Sequence, residues 1–563
     1  MAQNTSREAA KKAAQSGTMT PRQIWIVLIG LMSGMFLAAL DQSVVGAAMR
    51  TIADDLGGLS LQAWATTAYL ITSTVSTPIY GKLGDIFGRR PLFIAAIAIF
   101  IAGSATAGLA NTMVELAGYR ALQGLGAGGL FALALTIVAD IVPPRERAKY
   151  QGMFLAVFGT SSVLGPVIGG ALAGSGELLF IEGWRWIFLM NIPIGAVSLF
   201  MVITFLHVPH TPRPQKIDWW GAVTIVLAVV PLLLVAEQGR EWGWGSPLSI
   251  AMYATGLFGI VSFILIEKRM GSAALIPLAI FKEPTFARTQ IMGFIIGIGM
   301  FGGMIVLPLI IQVVYGASPT EAGLLMLPMV AGMMAATITS GRIMSRTGKY
   351  RIFFNTGTAV LFFGYLFMLL MLNASTPIWV VSIGMIMIGL GLGQLMQTTM
   401  VASQNSVDAR DIGVATSSAT FFRQMGGTFG VAVFMSILFG QVADKIGGAF
   451  QRADVREGIA AATKDPAVLA NPDNEAILGV LQGGPSAAEQ ITLDSSFMIG
   501  ADDRLTLPFR IGFVESSLTV FLVAIFFVAA AFVISWFIKE IPLRDKSASQ
   551  EAAESAKTAG MSH

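Results

Sequence analysis

Gly81-Lys82-Leu83-Gly84-Asp85-Ile86-Phe87-Gly88-Arg89-Arg90 lies between two long apolar runs, and its reading decides the fold. Small and charged residues packed into ten positions between such runs read as a tight turn joining two membrane helices. Gly81, Gly84 and Gly88 let the backbone approach a neighbouring helix. Asp85 is placed to accept hydrogen bonds from Arg89, Arg90 or an exposed helix N-terminus, and to lose them when a gate moves. A second stretch, Gly341-Arg342-Ile343-Met344-Ser345-Arg346-Thr347-Gly348-Lys349-Tyr350, repeats the turn with Ser345 where the first copy has Asp85. Two related turns imply two related halves.

Composition agrees. The 563 residues are 54% hydrophobic and only 12% charged, against about 25% charged in soluble domains. The formal charge of +3 belongs to loops and implies no nucleic-acid partner. With no cysteine and three histidines, thiolate metal sites and disulfides are excluded. No cofactor is expected, no ATP-binding P-loop is present, and no ligand cluster suggests an enzyme. The first 20 residues lack an apolar core of the signal-peptide type, so the first apolar run is expected to be an uncleaved anchor.

A span needs about 20 mostly apolar residues. Fourteen are expected, the first six at 24–45, 61–80, 91–110, 114–139, 153–172 and 186–206. Two more follow at 219–236 and 248–266. The last six are 291–315, 322–344, 352–372, 378–401, 412–438 and 513–538. The expected fold is therefore an all-α integral membrane protein of 6 + 2 + 6 spans. Residues 1–22 form a tail, 23–210 an N-terminal six-helix bundle and 211–270 a two-helix insertion. Residues 271–538 form a C-terminal six-helix bundle containing a long extracytoplasmic loop at 439–510 with room for a short helix, and 539–563 a second tail. Lys and Arg crowd the segments on the side of the first tail, while the short loops opposite hold only Arg50, Arg185 and Arg240. This bias places both tails in the cytoplasm and the chain in the plasma or inner membrane. Nothing argues for an oligomer, so a monomer surrounded by lipid is expected.

The 81–90 turn resembles the G-x-L-x-D-x-x-G-R-R/K signature between helices two and three of major facilitator transporters. Leu40-Asp41-Gln42-Ser43-Val44-Val45 resembles the L-D-x-T-V-V-N-V-A-L-P signature of fourteen-span drug:proton antiporters, with Ser43, Gly46 and Met49-Arg50 as departures. Arg120-Ala121-Leu122-Gln123-Gly124 resembles the family's R-x-x-Q-G motif. Gly159 through Gly170 holds Gly165, Pro166, Gly169 and Gly170, similar to the G-x-x-x-G-P-x-x-G-G motif of major facilitator antiporters that symporters generally lack. Similar segments at 184–193, 323–328 and 422–427 extend the resemblance over most of the chain, toward the EmrB/QacA type.

A carboxylate deep in a span is costly, so Asp41 must face a cavity, pair with a cation or be protonated. Desolvation favours its protonated form and a nearby Arg its ionised form. Asp41 is thus the candidate proton carrier, with Arg120 as the residue that perturbs its proton affinity; a hydrated interfacial acid and a backbone-bonded structural Arg are the plain alternatives. Gly81, Asp85, Gly88, Arg89 and Arg90 form the candidate gate. Pro166 and the glycines of span five permit bending and close packing. Met35, Phe36, Tyr69, Phe301 and Gln312 are the candidate substrate contacts, although methionine and aromatic side chains in spans are more often ordinary packing. Arg423 lies inside span thirteen, where pairing and packing are equally open. The resemblance implies proton-coupled export of lipophilic, neutral or singly cationic drugs by alternating access. An exporter dedicated to one native metabolite, such as an antibiotic, siderophore or lipid, is the alternative on the same fold, and a non-transport receptor is a more distant one.

Overall fold

A computed structural model describes residues 21–57, 61–206, 216–408, 411–482, 498 and 500–544. The N-terminal half comprises α1 (Pro21–Asp55), α2 (Gln62–Phe87), α3 (Arg89–Ala107), α4 (Met113–Ile141) and α5 (Pro144–Ala173). A two-stranded hairpin, β1 (Glu177–Leu178) and β2 (Ile181–Glu182), precedes a short α6 (Trp186–Leu189) and α7 (Asn191–Phe205). The insertion is a helical pair, α8 (Trp219–Trp242) and α9 (Pro247–Met270). The C-terminal half opens with α10 (Pro284–Tyr315), α11 (Pro319–Leu325), α12 (Leu327–Thr347), α13 (Arg351–Met371), α14 (Ile378–Asn405) and α15 (Ile412–Phe450). Three short helices, α16 (Ala453–Ala462), α17 (Pro466–Leu469) and α18 (Glu475–Gln482), lead to α19 (Asp503–Trp536).

Eleven described stretches are helices long and apolar enough to cross a membrane. The expected spans at 61–80, 153–172 and 291–315 fall on α2, α5 and α10 but are not among them. On α2 the cause is a polar face, with Thr67, Ser73, Thr74, Ser76 and Thr77 all buried against neighbouring helices. The tenth expected span is broken at Met326, where Pro328 lacks the N–H that would continue the helix. The long loop is also shorter than expected. Helix α15 runs on to Phe450 and α19 begins at Asp503, so much of 439–510 is helical.

Each half has its own core, one around Phe93, Phe100, Leu130 and Leu133, the other around Ile310, Phe354, Ile388 and Phe521. Helix α4 sits at the centre of the first half because its glycines remove the Cβ that would hold neighbours off: a Cβ at Gly126 would stand 2.6 Å from the Ala96 carbonyl of α3. The halves meet along two seams, α5 against α11 and α12, and α2 against α15. Helix α8 lies over the second seam through Ile225, Val229 and Leu233, which pack with Ile71 and Val75 of α2 and Phe421 of α15.

Candidate functional site

Asp41 lies on α1 and is buried with 1% of its surface exposed, as is Arg120 on α4. Arg120 Nη1 donates to Asp41 Oδ2 at 2.5 Å and to Gln123 Oε1 at 2.7 Å. Gln123 Nε2 donates to Asp41 Oδ1 at 2.9 Å, and Asn191 Nδ2, at the start of α7, donates to the same oxygen at 2.7 Å. Asn191 also reaches Ser104 Oγ of α3 at 2.9 Å, and that hydroxyl donates to the Phe188 carbonyl at 2.8 Å. The Arg120 guanidinium carbon stands 4.1 Å from the centroid of the Tyr69 ring, a cation–π contact. Arg120 and Gln123 share a helix face because they are three residues apart.

Chemically, this cluster is one buried carboxylate met by three donors. Removing either partner of such a pair leaves a bare buried charge, which typically costs about 3–5 kcal/mol. Protonating Asp41 has a milder consequence: the bond to Arg120 weakens while Gln123 and Asn191 still hold the carboxyl in place.

Residues 81–90, expected as a tight turn, are helical except at Gly88, because α2 runs on to Phe87 and α3 starts at Arg89; the stretch closes the end of the bundle where α2 meets α15. Arg89 is ion-paired to Asp85, and its Nε donates to Asp140 Oδ2 of α4 at 3.0 Å. This group abuts the start of α15, where a Cβ on Gly413 would overlap Asp85 Oδ1 and lie 2.6 Å from Arg89 Nη2. A Cβ on Gly81 would likewise overlap Ser417 of α15. Gly88 takes φ +94°, which a side chain would oppose. Arg90 turns away from this cluster and donates to the Ile203 carbonyl at 2.6 Å. Two further bonds cross between the halves here. Arg147 Nη1 donates to Gln404 Oε1 at 2.9 Å, and Thr77 Oγ1 to Gln424 Oε1 at 3.2 Å.

The span-five motif divides between two neighbours. A Cβ on Gly165 would overlap Ser43, and one on Gly169 would lie 2.6 Å from the Val44 carbonyl, so α5 presses on α1 immediately beyond Asp41. Gly159 faces Val330 of α12, and Pro166 faces Gly323 of α11, in the other half. Gly170 has open space where its Cβ would stand. The motif therefore links the Asp41 segment to the C-terminal half.

Three of the five expected substrate residues, Met35, Phe36 and Tyr69, lie in one packed cluster of the N-terminal half, and Gln312 lies apart from them on α10. Met35 and Tyr69 are core residues of the N-terminal half, with Phe36 partly buried beside them. Gln312 lies half-buried on α10. Phe301 is on the same helix, and its side chain lies outside the described residues. A narrow recess instead lies between α10, α14 and α15, lined by Gly293, Ile296, Met396, Thr399, Met400 and Arg423 among others. Sequence reasoning did not select Gln123, Asn191 or Ser104. Gln123 carried a signal, being three residues from Arg120 on one helix face; Asn191 and Ser104 join only through the packing of α3 and α7 around α1.

Residues 31–431 match the family model described as Major Facilitator Superfamily. The chain is 34% identical over 555 residues to the multidrug transporter protein MdtP of Bacillus subtilis (strain 168), covering 97% of this chain and 98% of the relative. It is 34% identical to multidrug resistance protein 3 of the same organism over 75% of this chain and 81% of that one. Efflux pump FUS6 of Gibberella moniliformis (strain M3125 / FGSC 7600) is 31% identical over 77% of this chain and 76% of its own length. Among solved structures, the proton:xylose symporter XylE bound to 6-bromo-6-deoxy-D-glucose aligns with 95% of this chain and 99% of its own at 14% identity and a TM-score of 0.56, a likeness of fold alone.

Proposed function

The chain belongs to the major facilitator superfamily and is a multi-pass membrane transporter, and from that premise we propose that it exports lipophilic small molecules in exchange for protons. Relatives named as multidrug transporters and efflux pumps support the direction and the substrate class. The observation that carries the proton is the buried Asp41, held by Arg120, Gln123 and Asn191 with no other carboxylate in the cluster. Asp41 takes a proton from the outer side and gives it to the cytoplasm, and Arg120 favours its release. Substrate travels the other way on the same conformational cycle, which couples the two flows.

In the proposed orientation, with fourteen spans and both tails in the plasma or inner membrane's cytoplasmic face, the 81–90 turn lies inside. The bond of Arg147 to Gln404 then holds the cytoplasmic end shut, with the Asp85–Arg89 pair packed against Gly413 beside it, and opening inward breaks that bond and separates that packing. The protein works as a monomer among lipids. Among the described residues Asp41 is the one carboxylate buried midway along the spans of the two six-helix halves, so substrates are neutral or carry one positive charge in preference to two.

Inside-out vesicles with an acidified lumen test this. Adding neutral or singly charged lipophilic dyes should draw protons out of the lumen, read as a rise in luminal pH. A lumen that stays acid with every dye, or an equal response to paired singly and doubly charged dyes, would overturn the corresponding part of the reading.

A further inference from the structure

Arg423 lies on α15, well inside the run from Ile412 to Leu438, and is half-buried. Its surroundings differ from those of Arg120. Among the described residues its side chain makes no hydrogen bond or ion pair, and no acidic group acts on it. It lines the recess with Gly293 and Ile296 of α10 and Met396, Thr399 and Met400 of α14. The floor is tight because α10 carries glycine where it meets α15: a Cβ on Gly297 would overlap the Arg423 carbonyl. The next residue, Gln424, accepts from Thr77 of the other half, so the recess adjoins the seam that must open and close.

A guanidinium is always charged and strongly prefers oxygen acceptors in its plane. Leaving one bare in an apolar recess is costly unless a ligand completes it. The recess takes only a small group, roughly the size of one water or one carboxyl. Its other walls are thioethers, aliphatic carbons and one threonine hydroxyl, so in this conformation it admits the polar tip of a substrate, and the apolar body lies outside it. The two buried centres also differ in net charge. Asp41 and Arg120 cancel, and Arg423 adds one positive charge that nothing described offsets.

We propose that Arg423 is a substrate-binding residue that takes an oxygen acceptor, foremost a carboxylate, at one end of a lipophilic substrate. This rests on the reading of the protein as an exporter of lipophilic molecules, and it replaces the preference for single positive charge drawn from Asp41 alone with one for oxygen acceptors. Within that class the recognised molecules are weak acids and acceptor-bearing neutral compounds, and a cation without an acceptor is the poorest ligand. Protonation of Asp41 adds to the disadvantage of cations, because Arg120 then also stands uncompensated.

The test uses four probes with one apolar body: pyrenebutyric acid, pyrenebutyramide, pyrenebutylamine and butylpyrene. Binding to the full-length purified protein is measured by equilibrium dialysis against protein-free micelles. The acid should bind about tenfold more tightly than the amine, with the amide between them. Arg423→Gln should weaken the acid about tenfold and leave butylpyrene unchanged, and Arg423→Lys should recover part of the loss. Because Arg423 has no protein partner to lose, Arg423→Gln should melt at the wild-type temperature or above. An amine that binds as tightly as the acid in the wild type, or a variant that weakens all four probes alike, would overturn the assignment. Proton release on adding each probe, measured separately in vesicles, reports on the exchange reading. Selective binding without proton movement would sink proton exchange and leave the role of Arg423 standing.

Discussion

Asp41 in the N-terminal half is met by Arg120, Gln123 and Asn191 on three sides, whereas Arg423 in the C-terminal half faces methionines and a glycine. Unbonded buried polar atoms occur in both halves, among them Arg90 Nε and Ser161 Oγ in the first and Asn355 Oδ1 and Ser418 Oγ in the second, so the contrast is between these two sites and not between the halves at large. Buried Gln397 on α14 leaves both its amide atoms unbonded, and Gln290 on α10 leaves its oxygen free; in the first half the leftover atoms of the cluster are only Arg120 Nε and Asn191 Oδ1. A completed cluster suits a group whose charge changes during the cycle, because its neighbours hold it in place through the change. An incomplete one suits a guest that brings the missing partner. On the proposed reading, the ion and the cargo are handled in different halves of the molecule.

Breaking the completed cluster should have the largest effect. Asp41→Asn keeps the shape and the two amide contacts but cannot carry a proton. It should abolish substrate-induced proton release and uphill transport while retaining binding at the C-terminal recess, measured in vesicles and by dialysis respectively. Undiminished proton-coupled transport in that variant would move the coupling site elsewhere. Arg120→Ala removes the cation that competes with the proton, so release into the cytoplasm should need a higher pH and the transport optimum should move to the alkaline side.

The two turns sharpen the comparison at an intermediate scale. In the first, Asp85 and Arg89 are paired within the N-terminal half and pack against Gly413 at the start of α15, across the seam. In the second, Ser345 stands where the acid would be, half-buried and within one half. Asp85→Asn should therefore lower the transport rate about tenfold, because losing the charge-assisted bond frees Arg89 from the position that packs against Gly413 in the closed seam. Ser345→Ala should leave the rate within about twofold, since no latch is expected there. Rates are compared at equal amounts of inserted protein, and a wild-type rate for Asp85→Asn would remove the latch.

Much of this was legible in the chain. The apolar runs, the repeated turn, Asp41, Arg120 and the Gly165-Pro166 segment depend on local spacing, and local spacing is what a sequence displays. What escaped was set by contacts between distant segments. Asn191 and Ser104 enter the cluster because α3, α6 and α7 close around α1, 150 residues from Asp41 in the case of Asn191. The bare state of Arg423 is likewise invisible, since a missing partner is a property of packing and not of the residue. Span 61–80 read as apolar, yet its serines and threonines face other helices and not lipid. The boundary near 439 misled because helix-forming sequence with scattered polar residues resembles a loop once hydrophobicity is the only measure.

The second turn lost its acid, and a residue from the far end of the chain takes over part of the task. Glu540, four residues past the end of α19, accepts from the backbone N–H of Tyr350 at 2.7 Å and from that of Arg351 at 3.3 Å. These are the first donors of α13, so the carboxylate caps that helix and meets its dipole. Tyr350 returns the contact through its hydroxyl, which donates to the Lys539 carbonyl at 3.1 Å. All of these residues belong to one half, so the cap fixes the C-terminal segment and touches nothing that must separate during transport. Glu540 is exposed, and an exposed cap of this kind is worth about 0.5–1 kcal/mol. Glu540→Gln should lower the melting temperature by no more than a few degrees and leave transport and its pH profile unchanged. Should it slow transport as Asp85→Asn is expected to, the second turn would also be a gate, and the division of labour between the halves would not hold at this end of the molecule.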